Sequence, residues 1–473
     1  SINSYRNNTS DRVFFEGDYY SDKPPLVSII SAPLHKLVIS FFPEESITEN
    51  VLLERKVGLT FVEESLFLPL SIKLSMILST ILTSLLPHIL TSLLVFKLSF
   101  KILKDLRKSL MVTFIYSFGT LSFPYSMMYF GNSLLTLLVF SSFFILFTQK
   151  LNSKNLFISG FLLGISSLVD YLAVFFFPAF ILYVVLKARN LPKVSIFLIS
   201  VFFGFSLLLF YQYMIFNNPF EATYKYTDQQ IWTNVELNTK YGIQSVLPSL
   251  AKIYRVTIDS YRGIFFYYPL IFILLIGLFK GRKILKEETI FISLLFLTFI
   301  FFFSVSWNWW GGTSFSIRFF SPVMPFLTFG LISLFKLKTY KFSGIFFLLI
   351  AFSIFTNLLC LQGFENTIED PINIYPEDSE RINSFAFIGA PLFTKYFDEF
   401  FYKGPTPKLF NSFFYGSHSF LDIRDGIEQP VSSLLENKLY LFNNFHLRTG
   451  FFLSTLNILL LIFLFSRFFP KKL

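Results

Sequence analysis

Long apolar runs are the feature of this sequence that most limits its fold. Eleven runs, each about as long as a helix that crosses the hydrocarbon core of a bilayer, can be placed along its 473 residues. Hydrophobic residues make up 53% of the chain and charged residues only 15%, against about a quarter in soluble domains. Transmembrane β-strands would be shorter and alternate polar with apolar positions. The sequence therefore predicts an all-α polytopic membrane protein and excludes a soluble fold.

The predicted membrane spans divide the chain into four parts. The spans are 75–98, 109–124, 130–148, 156–172, 173–187, 194–216, 264–280, 289–305, 319–335, 342–362 and 450–466. The parts are a first extracytoplasmic loop with interfacial helices (1–74), a transmembrane bundle (75–362), an extracytoplasmic loop or subdomain (363–449), and a final transmembrane helix with a cytoplasmic tail (450–473). Because the number of spans is odd and the chain starts with polar residues outside, we expect one further span before Ser1.

The charged residues predict the orientation of the bundle. Alternate connections, such as "KLSFKILKDLRK" and "KGRKILKEE", contain 20 of the 40 Lys and Arg residues but only three of the 30 acids. Short basic loops stay in the cytoplasm, so the C-terminus is predicted inside and the remaining loops outside. This topology accounts for the net charge of +10, and no nucleic-acid partner is predicted.

A first polar cluster, "DYYSDKPP", lies on the predicted outer face before the run "LVSIISAPLHKLVISFF". That run is short for a span and contains a proline, a histidine and a lysine, so we predict a helix lying in the membrane interface. Asp22 and Lys23 would then lie at headgroup depth. The alternative is a solvated loop in which Tyr19 and Tyr20 serve as interfacial anchors.

Further polar clusters end three predicted spans on the same face. "SWNWWGGTSFSIRFF" contains Trp310 and Arg318, and a guanidinium is a planar, permanently charged ligand for phosphate. Snorkelling of Arg318 to the interface is the alternative. "FNNPFEATYKYTD" and "SYRGIFFYYPL" add Glu221 and Arg262 among aromatic residues. We predict that these residues bind substrate.

Asp170 is the one acid inside the predicted spans. A carboxylate at that depth is costly unless it is paired or faces water, which makes it a functional candidate. Pairing with Arg318 or Arg262 would be a purely structural explanation. The sequence has no HExxH motif or Cys/His pairing for zinc and no phosphate-binding loop of the GxxxxGK[ST] type.

Carboxylates, cations and aromatic rings at one membrane face suit group transfer from a lipid phosphate. Cations at headgroup depth would bind the phosphate and stabilise the charge that builds on it as it leaves. A carboxylate beside them could take the proton from an acceptor hydroxyl. Aromatic faces suit the C–H surface of a sugar ring.

Five segments, in this order, resemble the GT-C superfamily of membrane glycosyltransferases: "YYSDKPP", "GTLSFPYSMMYFGNSL", "FNNPFEATY", "SYRGIFFYYPL" and "WNWWGGTSFSIRFFSPVMP". The similarity covers roughly residues 10–335 and is to bacterial relatives of protein O-mannosyltransferases and lipid A aminoarabinose transferases. It implies a GT-C-type bundle in a bacterial inner membrane, a polyprenyl-phosphate sugar donor and an inverting displacement at the anomeric carbon. The acceptor, whether lipid, glycan or protein, stays open.

The resemblance also implies roles for individual residues. Lys23 matches the lysine that contacts the donor phosphate, and Arg318 is a plausible second phosphate contact. Asp22 matches an acid that lines the same site and in some relatives takes part in metal binding. A divalent cation is therefore an open possibility, and no other cofactor is implied.

The family's catalytic acid commonly lies upstream of the "KPP" element. Asp11 is the best candidate in this chain, with Asp22 as a second carboxylate in the site, and an acid before Ser1 is the alternative. The family also often has a histidine where this chain has Asn132.

Two other functions stay open at this point. A transporter or flippase would also be polytopic and rich in aromatic residues, but it should place polar groups near the membrane midplane and show repeated halves. No such repeat is found in this sequence. A catalytically inactive relative is the third hypothesis, because the expected upstream acid is not securely matched.

Overall fold

The computed structural model describes residues 12–42, 70–221, 223–226, 247–306, 308–311, 314–337 and 344–361. These residues are mostly helical, as the sequence predicts. Five helices among them are long and apolar enough to cross a membrane: Leu74–Leu103, Tyr171–Ala188, Leu191–Phe216, Lys286–Val305 and Arg318–Leu337. Each predicted span before residue 363 overlaps a helix, while the span predicted at 450–466 lies outside the described residues. A helical membrane protein is thus confirmed, but the number of eleven spans is not.

The described elements follow one another along the chain in this order. The strands are β1 (Arg12–Phe15) and β2 (Asp18–Ser21). The helices are α1 (Leu26–Phe41), α2 (Leu70–Thr80), α3 (Leu86–Leu103), α4 (Leu106–Gly119), α5 (Ser122–Ser126), α6 (Asn132–Thr148), α7 (Ser153–Ile165), α8 (Phe177–Ala188), α9 (Leu191–Phe216), α10 (Leu250–Thr257), α11 (Ile264–Tyr267), α12 (Leu270–Gly281), α13 (Lys286–Val305), α14 (Met324–Leu337) and α15 (Gly344–Cys360).

A β-hairpin, which the sequence analysis did not predict, begins the described chain. β1 and β2 pair antiparallel around a two-residue turn, Glu16-Gly17, in which both residues have positive φ (47° and 93°). Such a turn matches the natural twist of two paired strands, and glycine adopts it without steric cost. The ring of Phe15 packs against those of Phe216 and Tyr226, with centroids 5.3 and 4.8 Å away. The hairpin therefore anchors the start of the chain to the end of α9.

The run after the Pro-Pro pair forms α1, and this helix leaves part of its apolar surface exposed. Leu37 and Phe41 are 54% and 73% exposed. On another face, His35 Nδ1 lies 2.9 Å from Ser75 Oγ of α2. One side of α1 thus rests on α2, while apolar residues on another side remain exposed.

The first long span contains a π-helical turn close to a proline. α2 and α3 are joined by this turn, Ile81–Leu85, which lies just before Pro87 near the start of α3. Proline has no N–H to continue the ladder of helical hydrogen bonds. In the turn, Ser84 Oγ donates to the carbonyl oxygen of Phe130, 2.9 Å away. This bond holds the turn against the loop before α6.

Glycines allow α7 and α9 to cross at close range. A Cβ atom on Gly204 would lie 2.7 Å from the carbonyl oxygen of Phe161 and 2.9 Å from the Cα of Gly164. Small residues at a crossing let two helix backbones approach, which is a common way to associate helices in membranes.

Replacing Gly204 with alanine is expected to destabilise the bundle, because the two backbones must separate to admit a methyl group. Overpacking of this kind costs roughly 1–3 kcal/mol. Thermal unfolding of the purified protein in detergent would measure the loss. Gly344→Ala is the matched control, since a Cβ there meets nothing within 4 Å. Equal thermal stability of the two variants would contradict the packing argument.

A small polar cluster holds α8 against α13 at one end of the bundle. Glu288 is buried, and its Oε1 accepts a hydrogen bond from Tyr183 Oη at 2.8 Å. Lys187 Nζ donates to Tyr183 Oη at 2.7 Å and lies 3.6 Å from the same carboxylate oxygen. The three side chains satisfy one another, so a charge is tolerated in the apolar bundle.

Glu288→Gln is expected to lower the free energy of unfolding by roughly 1–3 kcal/mol, the worth of hydrogen bonds to a charged partner. Glutamine keeps the shape of the side chain but not the charge opposite Lys187. The adjacent Glu287→Gln is the control, and thermal unfolding in detergent is the measurement. If Glu287→Gln proved as damaging, the cluster would not be the cause.

Candidate functional site

The predicted pair Asp22 and Lys23 follows β2 directly and forms an ion pair. Lys23 Nζ lies 2.8 Å from Asp22 Oδ2, and the lysine side chain is 44% exposed while that of the aspartate is 10% exposed. Thr223 Oγ1 donates to the backbone oxygen of Asp22 at 3.2 Å. The segments "DYYSDKPP" and "FNNPFEATY" therefore contact each other. The partly exposed ammonium group of Lys23 lies at this contact.

Asp170 lies between two 3₁₀ turns, immediately before the span Tyr171–Ala188. Its Oδ1 accepts a hydrogen bond from the backbone N–H of Leu172 at 2.9 Å and so caps the second turn. Burial raises the pKa of Asp170, while the positive charges of Arg318 and Lys23 act in the opposite direction. Both cations are therefore close enough to influence this carboxylate.

The loop before α6 explains why these segments are neighbours. A Cβ atom on Gly131 would lie 2.8 Å from Cγ1 of Val169 and 3.3 Å from Cγ2 of Val27. Tyr129 Oη in the same loop donates to Ser31 Oγ of α1 at 2.9 Å. The loop thus packs against the start of α1 on one side and the Asp170 segment on the other.

Arg318 is the first residue of a 3₁₀ turn, Arg318–Val323, that leads into α14. Its guanidinium carbon lies 5.0 Å from the ring centroid of Phe130 and 4.6 Å from that of Phe319. Its backbone oxygen accepts a hydrogen bond from Asn132 Nδ2 at 3.2 Å. The two rings and the amide fix both the side chain and the backbone of this arginine.

The guanidinium of Arg318 is held by aromatic rings rather than by an acid. Within the described ranges, no ion pair involves Arg318 and its Nε has no hydrogen-bond partner. Stacking on rings leaves the N–H groups at the edge of the guanidinium plane directed elsewhere. Such a group suits an anion that brings its own oxygen atoms, above all a phosphate.

Buried residues hold the loop that carries Arg318. Tyr125 Oη donates to the Phe315 carbonyl oxygen at 2.6 Å and accepts from the Phe315 N–H at 2.9 Å. Lys252 Nζ donates to the oxygen of Ser306 at 2.7 Å, and burial lowers the pKa of this lysine to about 8. These bonds hold Ser306 and Phe315, both of which precede Arg318 in the chain.

Arg262 and Trp310, both predicted to bind substrate, lie inside the protein. Arg262 has no exposed surface and donates to Ser314 Oγ at 3.1 Å and to the Ser316 oxygen at 3.4 Å. Trp310 is 4% exposed and packs edge-on against Trp309, with ring centroids 5.7 Å apart. The structure thus gives Arg262 a part in holding the loop, and Trp310 a place in the core beside it.

The other predicted residues surround the Asp22–Lys23 pair. Tyr19 packs on Phe14 across the hairpin, with centroids 4.9 Å apart, and the Tyr20 ring lies 6.3 Å from that of Phe216. Glu221 Oε2 accepts from Asn218 Nδ2 at 3.2 Å, two residues before the threonine that bonds to Asp22. The tyrosines thus contribute to the hairpin's packing. Asp11 lies outside the described residues.

Sequence reasoning missed three residues that shape the site: Tyr125, Lys252 and Ser314. Tyr125 is inside a segment that was singled out, but nothing in its spacing indicates a partner 190 positions away. Lys252 is one lysine among many basic residues. Asn132 was noted for its departure from the family, and its bond to the Arg318 backbone gives it a positioning role.

Within the described residues, no group of three or more His, Cys, Asp or Glu side chains could hold a metal ion. The divalent cation that the resemblance left open would need ligands from elsewhere in the chain or from the substrate. Asp22 is the one predicted carboxylate of that kind in the described part, and its Oδ2 is engaged by Lys23.

The chain was also compared with known proteins. No protein-family model matches it, and neither the curated proteins nor the solved structures contain a significant match.

Proposed function

We propose that this protein is a membrane glycosyltransferase of the GT-C type, which moves a sugar from a polyprenyl phosphate to an acceptor on the extracytoplasmic face. One observation carries the proposal: a single loop before α6 lies against the segments of Lys23, Asp170 and Arg318. Phe130 contacts the Arg318 guanidinium, and Gly131 lies against Val27 and Val169. Two cations near one carboxylate suit a reaction in which the donor phosphate lies next to the reacting hydroxyl of the acceptor.

The surroundings of Arg318 support a phosphate as its partner. The guanidinium is stacked between Phe130 and Phe319, and in the described part of the chain it has no acidic partner. A lipid donor would keep its tail in the bilayer while its phosphate remains at the surface, where Lys23 is exposed. Arg318 and Lys23 would stabilise the charge on the leaving phosphate.

The same arrangement favours an enzyme over a transporter. A transporter would be expected to place its polar binding groups near the midplane of the bundle. Here Asp170 precedes the span Tyr171–Ala188, and Arg318 begins the span Arg318–Leu337, so both lie at the ends of spans. We further propose a multi-pass protein of the bacterial inner membrane with this end of the bundle facing outward.

The direct test is to incubate the full-length protein, in proteoliposomes, with a panel of radiolabelled polyprenyl-phosphate sugars and bacterial membrane acceptors. The expected result is label transferred from lipid to a polar or acceptor-bound product. Flipping of an intact labelled donor across the bilayer, with no product formed, would instead show a flippase. If no donor gave either of these results, an inactive relative would be the remaining hypothesis.

A further inference from the structure

The motifs direct attention to Asp11 and Asp22 as catalytic acids, but a carboxylate on another segment is better placed. We propose that Asp170 is the catalytic base of the transfer and that Asp22 positions Lys23. The proposal rests on the proposed function, and it concerns which residue takes the proton from the acceptor.

Asp22 is poorly suited to accept a proton. Its Oδ2 lies 2.8 Å from Lys23 Nζ, and its side chain is only 10% exposed. Protonation would sacrifice the attraction of the ammonium group, and a neighbouring cation favours the charged carboxylate. The geometry instead lets Asp22 hold Lys23 in one direction, while the Thr223 hydroxyl fixes the backbone oxygen of Asp22.

Asp170 has the opposite character. Its Oδ1 accepts from the Leu172 N–H at 2.9 Å, and within the described residues no ion pair at 4.0 Å or less involves it. The residue is partly exposed, and among the described residues its Oδ2 accepts no hydrogen bond, so this oxygen is the one left for a hydroxyl group. A carboxylate that is neither neutralised by direct contact nor fully covered can take a proton and release it.

The loop before α6 brings the segments of both cations to that of Asp170, since Phe130 contacts the Arg318 guanidinium and Gly131 lies against Val169 and Val27. A phosphate held by Lys23 and Arg318 would therefore lie beside the base. In the proposed step, the acceptor hydroxyl oxygen forms a bond to the anomeric carbon while the bond from that carbon to the phosphate oxygen breaks. The electron pair of the broken bond leaves with the lipid phosphate, which Arg318 and Lys23 hold. The hydroxyl proton goes to Asp170 Oδ2, and no other reactant is needed.

Asp170→Asn tests this role with little change in the fold. An asparagine oxygen can still cap the Leu172 N–H, but it does not act as the base. Release of sugar from a panel of radiolabelled polyprenyl-phosphate hexoses by the full chain gives the rate, and binding of decaprenyl phosphate gives the affinity. We expect kcat to fall by roughly 10²- to 10⁴-fold with unchanged affinity, and Asp170→Glu to retain part of the rate.

Asp105→Asn is the matched control. Asp105 also caps a helix, its Oδ1 accepting from the Lys108 N–H at 3.1 Å, but its element, α4, begins far along the chain from the site's segments. We expect this variant to keep the wild-type rate and affinity. A loss equal to that of Asp170→Asn would mean that capping, and not proton transfer, is what the substitution disturbs, and would overturn the proposal.

The pH profile supplies a readout that a merely structural residue would not move. Lys23 and Arg318 are the charged groups that act on Asp170 among the described residues, and burial outweighs them to raise its pKa. Because the base must be deprotonated, the wild-type rate should fall on the acid side with a midpoint above the ordinary value for Asp, about 3.9. That acid limb should be absent from the residual rate of Asp170→Asn.

The outcomes separate this proposal from the proposed function. A wild-type kcat in Asp170→Asn would overturn the role of Asp170 as base while the transferase itself stands. Loss of decaprenyl phosphate binding together with the rate would make Asp170 a positioning residue for the donor, which also overturns it. If the wild-type protein released sugar from no donor, the proposed function would fall, and the base with it.

Discussion

Arg318→Ala is expected to weaken the binding of decaprenyl phosphate by about 3 kcal/mol, roughly a 100-fold rise in Kd. The guanidinium is stacked on Phe130 and Phe319, so its orientation is set before a ligand arrives. Alanine removes the charge and the fork of donors together. Arg318→Lys keeps the charge on a flexible stem, and we expect it to recover only part of the affinity, because lysine lacks the planar fork.

Binding should be measured with the purified full-length protein in nanodiscs, by competition against a fluorescent decaprenyl phosphate. Arg282→Ala is the control, since its guanidinium carbon also lies over a ring, 3.9 Å from the centroid of Phe279, at the end of α12. The backbone oxygen that bonds to Asn132 is retained in Arg318→Ala, so the local fold should persist. If the Kd of Arg318→Ala stayed as unchanged as that of Arg282→Ala, a phosphate role for Arg318 would be refuted.

Removing either member of the Asp22–Lys23 pair is expected to reduce transfer strongly while the protein still inserts and folds. Lys23→Ala deletes a donor to the phosphate, and Asp22→Asn frees the ammonium group from the contact at 2.8 Å that aims it. Each loss should be on the order of 2–5 kcal/mol of transition-state stabilisation, or at least about 30-fold in kcat/KM. The hydrogen bond from Thr223 goes to the backbone oxygen and survives both changes.

A double-mutant cycle sharpens this second test. If Asp22 acts mainly through Lys23, then Asp22→Asn should add little once Lys23 is alanine, so the two losses should not be additive. Lys36→Ala is the control, since it removes an exposed lysine from α1, the helix that follows Lys23. Sugar release from the radiolabelled donor panel is the measurement. Full activity of Lys23→Ala would remove this pair from the site.

Much of the helical architecture could be predicted because membrane spans are dictated by long apolar runs. Each predicted span up to residue 362 overlaps a helix. The span count was less secure, since several helices are short: α6 and α15 have 17 residues each. The hairpin was missed because its signal is a single Glu-Gly turn inside a polar loop that read as an interfacial segment.

The site was only partly predictable. The segments with Asp22, Lys23, Asp170 and Arg318 stand out because charges are rare in this chain. Their mutual arrangement depends on contacts over large sequence separations, such as Asn132 to the Arg318 backbone across 186 positions, and no local pattern encodes these. The sequence also does not show which residues are buried. An arginine among aromatic residues has the same sequence pattern whether it is exposed or, like Arg262, is buried and bonded to a loop.

The contact between the hairpin and the end of α9 joins residues that are synthesised at different times. Asp22 is translated 201 codons before its partner Thr223. Arg318 follows later still, so the candidate site is completed only after most of the described helices have been synthesised. A nascent polypeptide thus holds this hairpin well before the residues that it packs against have been made.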